Sequence, residues 1–444
     1  MADIHPFRAF RYDPQQVSPA LAVTQPYDKI TPAIQERYYA ASPYNLVRII
    51  LGRREPNDNP ENNVYTRAAA SFRDWRLQGI LRQDSRPSLY SYSQRFTLPG
   101  SNAQGPGKEL ERRGFIALGR IEDYSAVVFR HEQTLAKPKA DRLDLLRATH
   151  AHFGQIFMLY EDSGQVESLL STPAGPDISV TDEYGVLHRL WQISDPRLID
   201  SVRAAMADKK LIIADGHHRY ETALNFRNEN REKEGREKTK ATITPITSPS
   251  EFVMMTFVNL NSPALTILPT HRVVHSLPAF NEEDFRDSAH KFFDIEEVDS
   301  SLDAAHATAM LHQCGRAGTA LLAVTPNRAF LLHHPDPSAV HLFAGLSMRQ
   351  QSLDVVQLHK ILLENVLGLT EESIRNQQNI SYVRDAAEAL AHLENSPRAN
   401  IVFLMNPCRV QQVRDIAFAN EVMPQKSTDF YPKLLSGLTV YALD

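Results

Sequence analysis

Residues 211–224 read Leu-Ile-Ile-Ala-Asp-Gly-His-His-Arg-Tyr-Glu-Thr-Ala-Leu. The four apolar residues Leu211 to Ala214 predict a short buried strand. Asp215-Gly216 predicts a turn, with Asp215 as the cap of the coming helix and Gly216 allowing a tight bend and a close approach. The helix is expected to begin near His218, with Tyr220, Ala223 and Leu224 on its core-facing side. His217, His218 and Arg219 then fall at a helix N-terminus. Unpaired N–H groups and the helix dipole favour an anion such as phosphate there. Arg219 adds a bidentate donor. Asp215 could hold Mg²⁺ or accept a proton, and a histidine could orient or donate. Four ionisable residues in five positions beside a buried strand point to phosphate handling or acid–base chemistry. A capped helix with exposed polar residues is the plainer alternative.

Outward from this stretch the chain alternates short strands and amphipathic helices. Val64 to Gly79 carries Ala68, Phe72 and Trp75 at i, i+4 and i+7, a core-facing helical stripe. Ser88 to Phe96 and Gly114 to Gly119 read as strands around a Gly/Pro/Ser/Asn loop, a hairpin with a long tip. Helices are expected at Asp141 to His152, Pro196 to Met206 and Leu353 to Leu367. Strands are expected at Gln155 to Tyr160, Phe252 to Leu260 and Ile401 to Met405. The fold class is mixed α/β, multi-domain, with regions at 1–170, 171–275 and 276–444. The run from Arg227 to Lys240 reads as a solvated face or loop.

Three further polar clusters stand at expected strand ends. His131-Glu132-Gln133-Thr134 leads through Lys137 and Lys139 to Asp141 and Arg142. Pro269-Thr270-His271-Arg272 follows an apolar run. Met423-Pro424-Gln425-Lys426-Ser427-Thr428 continues to Lys433. His131, Lys139, Arg142, His271, Arg272 and Lys426 are therefore candidate phosphate or nucleotide contacts. Each cluster also has a plainer reading as solvated charge. Lys-Ser-Thr lacks the glycines of a phosphate-cradling loop. Gln25-Pro26-Tyr27-Asp28 is a polar turn that could bring Asp28 to a site. Polar residues at strand ends tend to meet at one edge of a sheet, so convergence of a cluster on Arg219 is expected.

Composition narrows the class. The chain has 444 residues, 42% hydrophobic and 23% charged, with 48 basic against 53 acidic residues. A net charge of −5 argues against nucleic-acid binding by bulk charge. No apolar run approaches the ~18 residues of a membrane span, and no signal peptide is evident. Two cysteines, Cys314 and Cys408, exclude a disulfide framework and a cysteine zinc site. No His-Glu-x-x-His spacing exists. The expectation is a cytoplasmic globular protein without nucleic-acid or membrane partners, and a homo-oligomer is compatible with it.

At these residues the chain resembles the bacterial and archaeal family called domain of unknown function 1015. The resemblance runs through Pro26-Tyr27-Asp28, HEQTLAKPKADRLDLL from His131 and ADGHHRYETA from Ala214. It continues in PTHRVV from Pro269 and MPQKSTDFYPKLLSGL from Met423, and so spans nearly the whole chain. DGHHRYETA is also similar to the Gly-x-x-Arg-x-x-Ala signature of the ParB/sulfiredoxin-like fold, above all in the free L-serine kinases. That resemblance covers about one tenth of the chain. It implies a strand-turn-helix nucleotide site, ATP or ADP with Mg²⁺, and phosphoryl transfer to a small hydroxyl compound such as L-serine. Gly216 and Arg219 would bind nucleotide phosphate, and Asp215 and His218 would act near the transferred group. Tyr220 and Ala223 would be structural. Those kinases carry a catalytic glutamate upstream of the motif, for which Glu183 is the candidate here. No helix-turn-helix module supports the DNA binding of ParB proteins.

The leading expectation is a small-molecule kinase with Asp215, His217 and His218 as catalytic residues. The alternatives are a non-catalytic nucleotide-binding protein and a metal-assisted phosphate-ester hydrolase.

Overall fold

The computed structural model describes residues 2–99, 107–133, 137–171, 174–238 and 248–444. It is a mixed α/β structure with several sheets, and it divides into two compact units. The first takes Met1–Arg130, Thr134–Leu265 and Pro432–Asp444. The second takes His131–Gln133 and Thr266–Tyr431. Residues 170 and 275, the expected boundaries, do not coincide with these breaks. Strands from both sides of residue 170 pair in one sheet, so no division falls there.

The first unit is built on a nine-stranded sheet. In chain order its strands are β1 (Ile4–His5), β2 (Leu89–Thr97), β3 (Glu109–Arg120), β4 (Val128–Phe129), β5 (Ile156–Tyr160), β6 (Ile178–Thr181), β7 (Leu187–Ile193), β8 (Leu211–Asp215) and β9 (Phe252–Asn259). The spatial order is β4-β8-β5-β9-β3-β2-β7-β6, with β1 beside β3. β8 runs parallel to β4 and β9 parallel to β5, while the other pairings are antiparallel. β5 and β9 are buried along their whole length. Continuous apolar runs in the sequence reflect strands covered on both faces. The expected hairpin forms from β2 and β3, from Tyr90 opposite Ile116 to Thr97 opposite Glu109. Most of its tip lies outside the described residues.

Four helices of this unit are α1 (Val64–Leu77), α2 (Lys137–Thr149), α3 (Pro196–Met206) and α4 (His217–Lys238). Asn63 starts α1 by accepting N–H bonds from Tyr65 and Thr66. Ala68, Phe72 and Trp75 are buried on it, as the spacing predicts. α3 begins at Pro196 and is capped by the Asp195 side chain. α2 stops short of the expected end. His150 takes a positive φ of 47°, and Ala151–His152 leaves the helix to pair with Tyr441–Ala442.

The Arg227-to-Lys240 reading needs correction at its first residue. α4 continues to Lys238, and Arg227 is 2% exposed. Its guanidinium donates to the Ile121 carbonyl and, at 2.8 Å, to Asp123. Residues 239–247 lie outside the described residues.

The second unit holds a six-stranded sheet of β10 (His271–His275), β11 (Asp294–Val298), β12 (Ala320–Val324), β13 (Ala329–His333), β14 (Ile380–Val383) and β15 (Ala399–Met405), in the order β11-β13-β12-β15-β10-β14. All its pairings are antiparallel. The helix expected over Leu353 to Leu367 is present in two forms. Asp354–Gln357 is α-helical and Leu358–Val366 is a π-helix. Among the described residues no helix is long and apolar enough to cross a membrane.

Candidate functional site

The Asp215–Arg219 turn sits where β8 gives way to α4 in the first unit. Ile212 lies opposite Leu159 and Ile213 opposite Met158, but Asp215 lies opposite Phe157. One residue is thus extra on β8, a bulge that breaks the alternation of the strand at Asp215. α4 starts at His217, and its first turn closes with Tyr220 N–H donating to the Gly216 carbonyl at 2.9 Å. Gly216, rather than the expected Asp215, therefore holds the cap position.

Asp215 has another task. Its Oδ1 accepts from Lys433 Nζ at 3.0 Å, and its Oδ2 accepts from Arg219 Nη2 at 2.7 Å. Burial pushes the carboxyl pKa up, but Lys433 and Arg219, with Lys29 adding, outweigh burial and hold it well below the usual range. Asp215 is thus an anion at neutral pH with both oxygens engaged by cations. That donor set does not fit a resident Mg²⁺, because a divalent cation would have to displace an ammonium or a guanidinium. Among the described residues the one cluster with metal-ligand spacing is Asp294, His333 and His334, in the second unit.

Gly216 is required by geometry. Its φ is +93°, and a Cβ there would lie 3.0–3.1 Å from the Arg219 guanidinium. The arginine folds back over the turn, so a side chain here would press on it as well as strain the backbone. Arg219 Nη1 also donates to the Gln155 carbonyl. Lys433 is held by its backbone, whose carbonyl accepts from Gln94 Nε2 at 2.8 Å. Arg112, 1% exposed, donates to Gln94 Oε1 and to the Pro432 carbonyl, over the Phe157 ring. Burial lowers its pKa to about 10, against the pull of Tyr92 and Asp215, so it stays charged.

Arg219 lines a cavity of about 70 Å³ with Tyr27, Arg142, Phe153, Gly154 and Ser436. Arg142 stacks over Tyr27 at 4.3 Å and donates to the Ile50 carbonyl and to Asp141. Burial raises the Tyr27 pKa, as does Asp28, while Arg142 and Arg219 oppose them. Tyr27 rather than Asp28 is therefore the residue this early turn brings to the cavity. His217 and His218 are half-buried at the start of α4. Glu183 accepts from the Tyr38 hydroxyl at 2.6 Å and from Arg37 at 3.3 Å. Lys139 carries no described side chain.

The other candidates belong to the second unit. His131 is fully buried, with Nε2 2.8 Å from Thr428 Oγ1. Glu132 accepts from the Lys426 backbone N–H at 2.9 Å, and Lys426 itself has a positive φ of 59° and an exposed side chain. Arg272, 1% exposed, donates to the Lys426 carbonyl at 3.0 Å. His271, 3% exposed, accepts from Met405 N–H at 3.2 Å. Burial, helped by Arg272, lowers the His271 pKa to about 4. The His131, Arg272 and Lys426 clusters thus meet one another; the expected convergence was on Arg219, and of the residues that extend these clusters Arg142 and Lys433 are the ones beside that turn. Lys433 is the residue that reaches Asp215. It stands in the quoted C-terminal motif, seven residues after the candidate Lys426.

A family model described as "Protein of unknown function (DUF1015)" matches residues 4–372. The chain belongs to the DUF1015 family. No curated protein matches it. Solved structures align with it only weakly. A conserved hypothetical protein from Pyrococcus furiosus aligns with 10% identity and a TM-score of 0.35, over 71% of this chain and 92% of the other. A free serine kinase in complex with AMP aligns with 12% identity and a TM-score of 0.34, over 70% and 88%. A C-terminally truncated SbnI from Staphylococcus aureus aligns with 9% identity and a TM-score of 0.32, over 73% and 87%.

Proposed function

We propose that this DUF1015 protein binds a nucleotide at the Asp215–Arg219 turn and transfers a phosphoryl group to a small hydroxyl metabolite, with L-serine the first acceptor to test. The observation that carries the reading is charge: Arg219 and Lys433 grip one carboxylate, and Arg112 lies within its field. Three cations gather around this carboxylate at the N-terminus of α4, a setting whose field favours the oxygens of a phosphate. The DGHHR motif, shared with the free L-serine kinases, supports the same assignment.

In this reading the acceptor hydroxyl oxygen attacks the terminal phosphorus. The new O–P bond forms as the bond to the remaining nucleotide phosphate breaks, and the hydroxyl proton passes to His218. Arg219 and Lys433 neutralise the oxygens that gain charge. Asp215 is a positioning residue, because it holds both cations in place.

Calorimetry with ATP and ADP, followed by phosphorus NMR with L-serine and other hydroxyl compounds, tests the proposal. A phosphorylated acceptor is the expected product. Nucleotide binding without turnover would reduce the protein to a binding module, and free phosphate would make it a hydrolase. No nucleotide binding would refute the site.

A further inference from the structure

The end of β13 gathers three metal-ligating side chains in the second unit. Asp294 of β11 lies opposite His333 of β13 in the antiparallel register, so the two side chains share one face of the sheet. His334 follows directly and would point to the other face in a regular strand. Its φ of +44° turns the chain instead, and its ring packs edge-on against that of His333, with centroids 4.6 Å apart.

The ligand atoms of Asp294, His333 and His334 all lie within 4.8 Å of one another. His334 Nδ1 is 2.9 Å from His333 Nδ1 and 3.3 Å from Asp294 Oδ2. Two ligand atoms on a tetrahedral zinc ion stand roughly 3.3 Å apart, as Zn–N bonds of about 2.0–2.1 Å require. The far side of the His333 ring is also provided for. Its Nε2 lies 3.3 Å from Oε1 of Glu296, two residues from Asp294 on the same face of β11. A metal-binding histidine typically gives its second ring hydrogen to a carboxylate, which leaves the other nitrogen bare for the metal. With His333 in that tautomer and His334 neutral, the two Nδ1 atoms and Asp294 Oδ2 have at most one hydrogen to share. A divalent cation in its place satisfies all three.

Among the described residues neither Asp294 nor Glu296 has a lysine or arginine partner, so no side-chain cation has to be displaced, in contrast to Asp215. Asp294 and His334 are exposed, which leaves a further coordination position to water. Two imidazoles and a carboxylate suit a late first-row ion; Mg²⁺ and Ca²⁺ prefer oxygen alone.

We propose that Asp294, His333 and His334 bind a divalent ion of the zinc type. β11 is an edge strand of the six-stranded sheet, and the ion clips that edge to the end of β13.

The test is calorimetry of the chelator-treated full chain with zinc chloride, in parallel with ¹⁵N NMR of histidine-labelled protein. Zinc should bind at micromolar concentration and shift the ring-nitrogen signals of two histidines, one of them missing from the His334→Asn spectrum. Asparagine tolerates a positive φ, so this variant removes the imidazole and spares the turn. His334→Asn and Asp294→Asn should each weaken zinc binding at least about tenfold. His306→Asn, at the exposed His306–Asp303 pair, should leave it unchanged, and this separates the site from scattered surface histidines. If either site variant fails to fold, the other and the wild-type NMR shift decide. Four results would each overturn the proposal: no zinc binding at micromolar concentration, binding indifferent to both site variants, an equal loss in His306→Asn, or displacement of zinc by millimolar Mg²⁺.

Discussion

Replacing Gly216 by alanine separates two effects that usually travel together. The φ of +93° costs any L-residue about 1–2 kcal/mol of backbone strain. The new Cβ would also lie 3.0 Å from Arg219 Nε, so the guanidinium must give way by a few tenths of an ångström. That displaces its bonds to Asp215 and Gln155, charge-assisted contacts whose complete loss would cost about 1.5–3 kcal/mol. Gly216→Ala should therefore cost more than the backbone share alone, up to about 5 kcal/mol if both bonds go. Gly164 provides the control: its φ is +101°, and nothing lies within 4 Å of a Cβ there. Gly164→Ala should cost only the backbone share, about 1–2 kcal/mol. Urea denaturation followed by circular dichroism measures both. The same substitution in an Arg219→Ala background completes the cycle, and there Gly216→Ala should cost no more than Gly164→Ala. Equal losses at the two glycines in the wild-type background would refute the reasoning. So would an excess at Gly216 that persists without Arg219.

Three other outcomes are expected. Asp215→Asn keeps the shape but leaves Lys433 and Arg219, 9% and 15% exposed, without their counter-charge; stability should fall by about 3–5 kcal/mol, read from the same denaturation curves. Arg219→Ala should weaken nucleotide binding about tenfold or more in calorimetry, the equivalent of ~1.5–3 kcal/mol. His271 has a folded pKa of about 4 against ~6.5 when unfolded, so the unfolded state binds the proton more readily. The stability His271 contributes is full above ~6.5 and drains away as pH falls towards 4, by about 3 kcal/mol in all. His271→Asn, which keeps an acceptor for Met405 N–H, should flatten the stability–pH curve in that window by up to ~1.4 kcal/mol per pH unit. An unchanged slope would count against the assignment.

The parts of the fold that were legible in the sequence are those where pattern is local. Pro196–Met206 has a cap, a proline at its first position and a clean apolar stripe, and its bounds match the expected ones. The β8–turn–α4 unit was likewise readable from its apolar run, its Asp-Gly and the polar cluster behind it. Three things were not readable, each for a physical reason. The capping role given to Asp215 failed because two cations from other positions compete for its oxygens. Arg227 looked solvated because its partners, Ile121 and Asp123, lie about a hundred residues away. The π-helical winding of Leu358–Val366 leaves no mark in a spacing argument, since Leu358 and Leu362 are buried as an α-helix would also predict. Lys433 was within reach, as a lysine inside a distinctive motif, but nothing in one sequence tells which lysine meets which carboxylate.

The first unit is discontinuous in a way that bears on how it is made. Asp215 and Arg219 emerge from the ribosome long before Lys433, with Thr266–Tyr431 synthesised in between. At ~5–20 residues per second the stretch from Arg219 to Lys433 takes roughly ten to forty seconds. Throughout it, β8 and α4 can form, yet the carboxylate lacks one of its two cations and Ala151–His152 lacks its partner strand Tyr441–Ala442. The turn cannot reach its final charge balance on the nascent chain until Pro432–Asp444 has been added, so assembly of the site is timed by translation rather than by local folding.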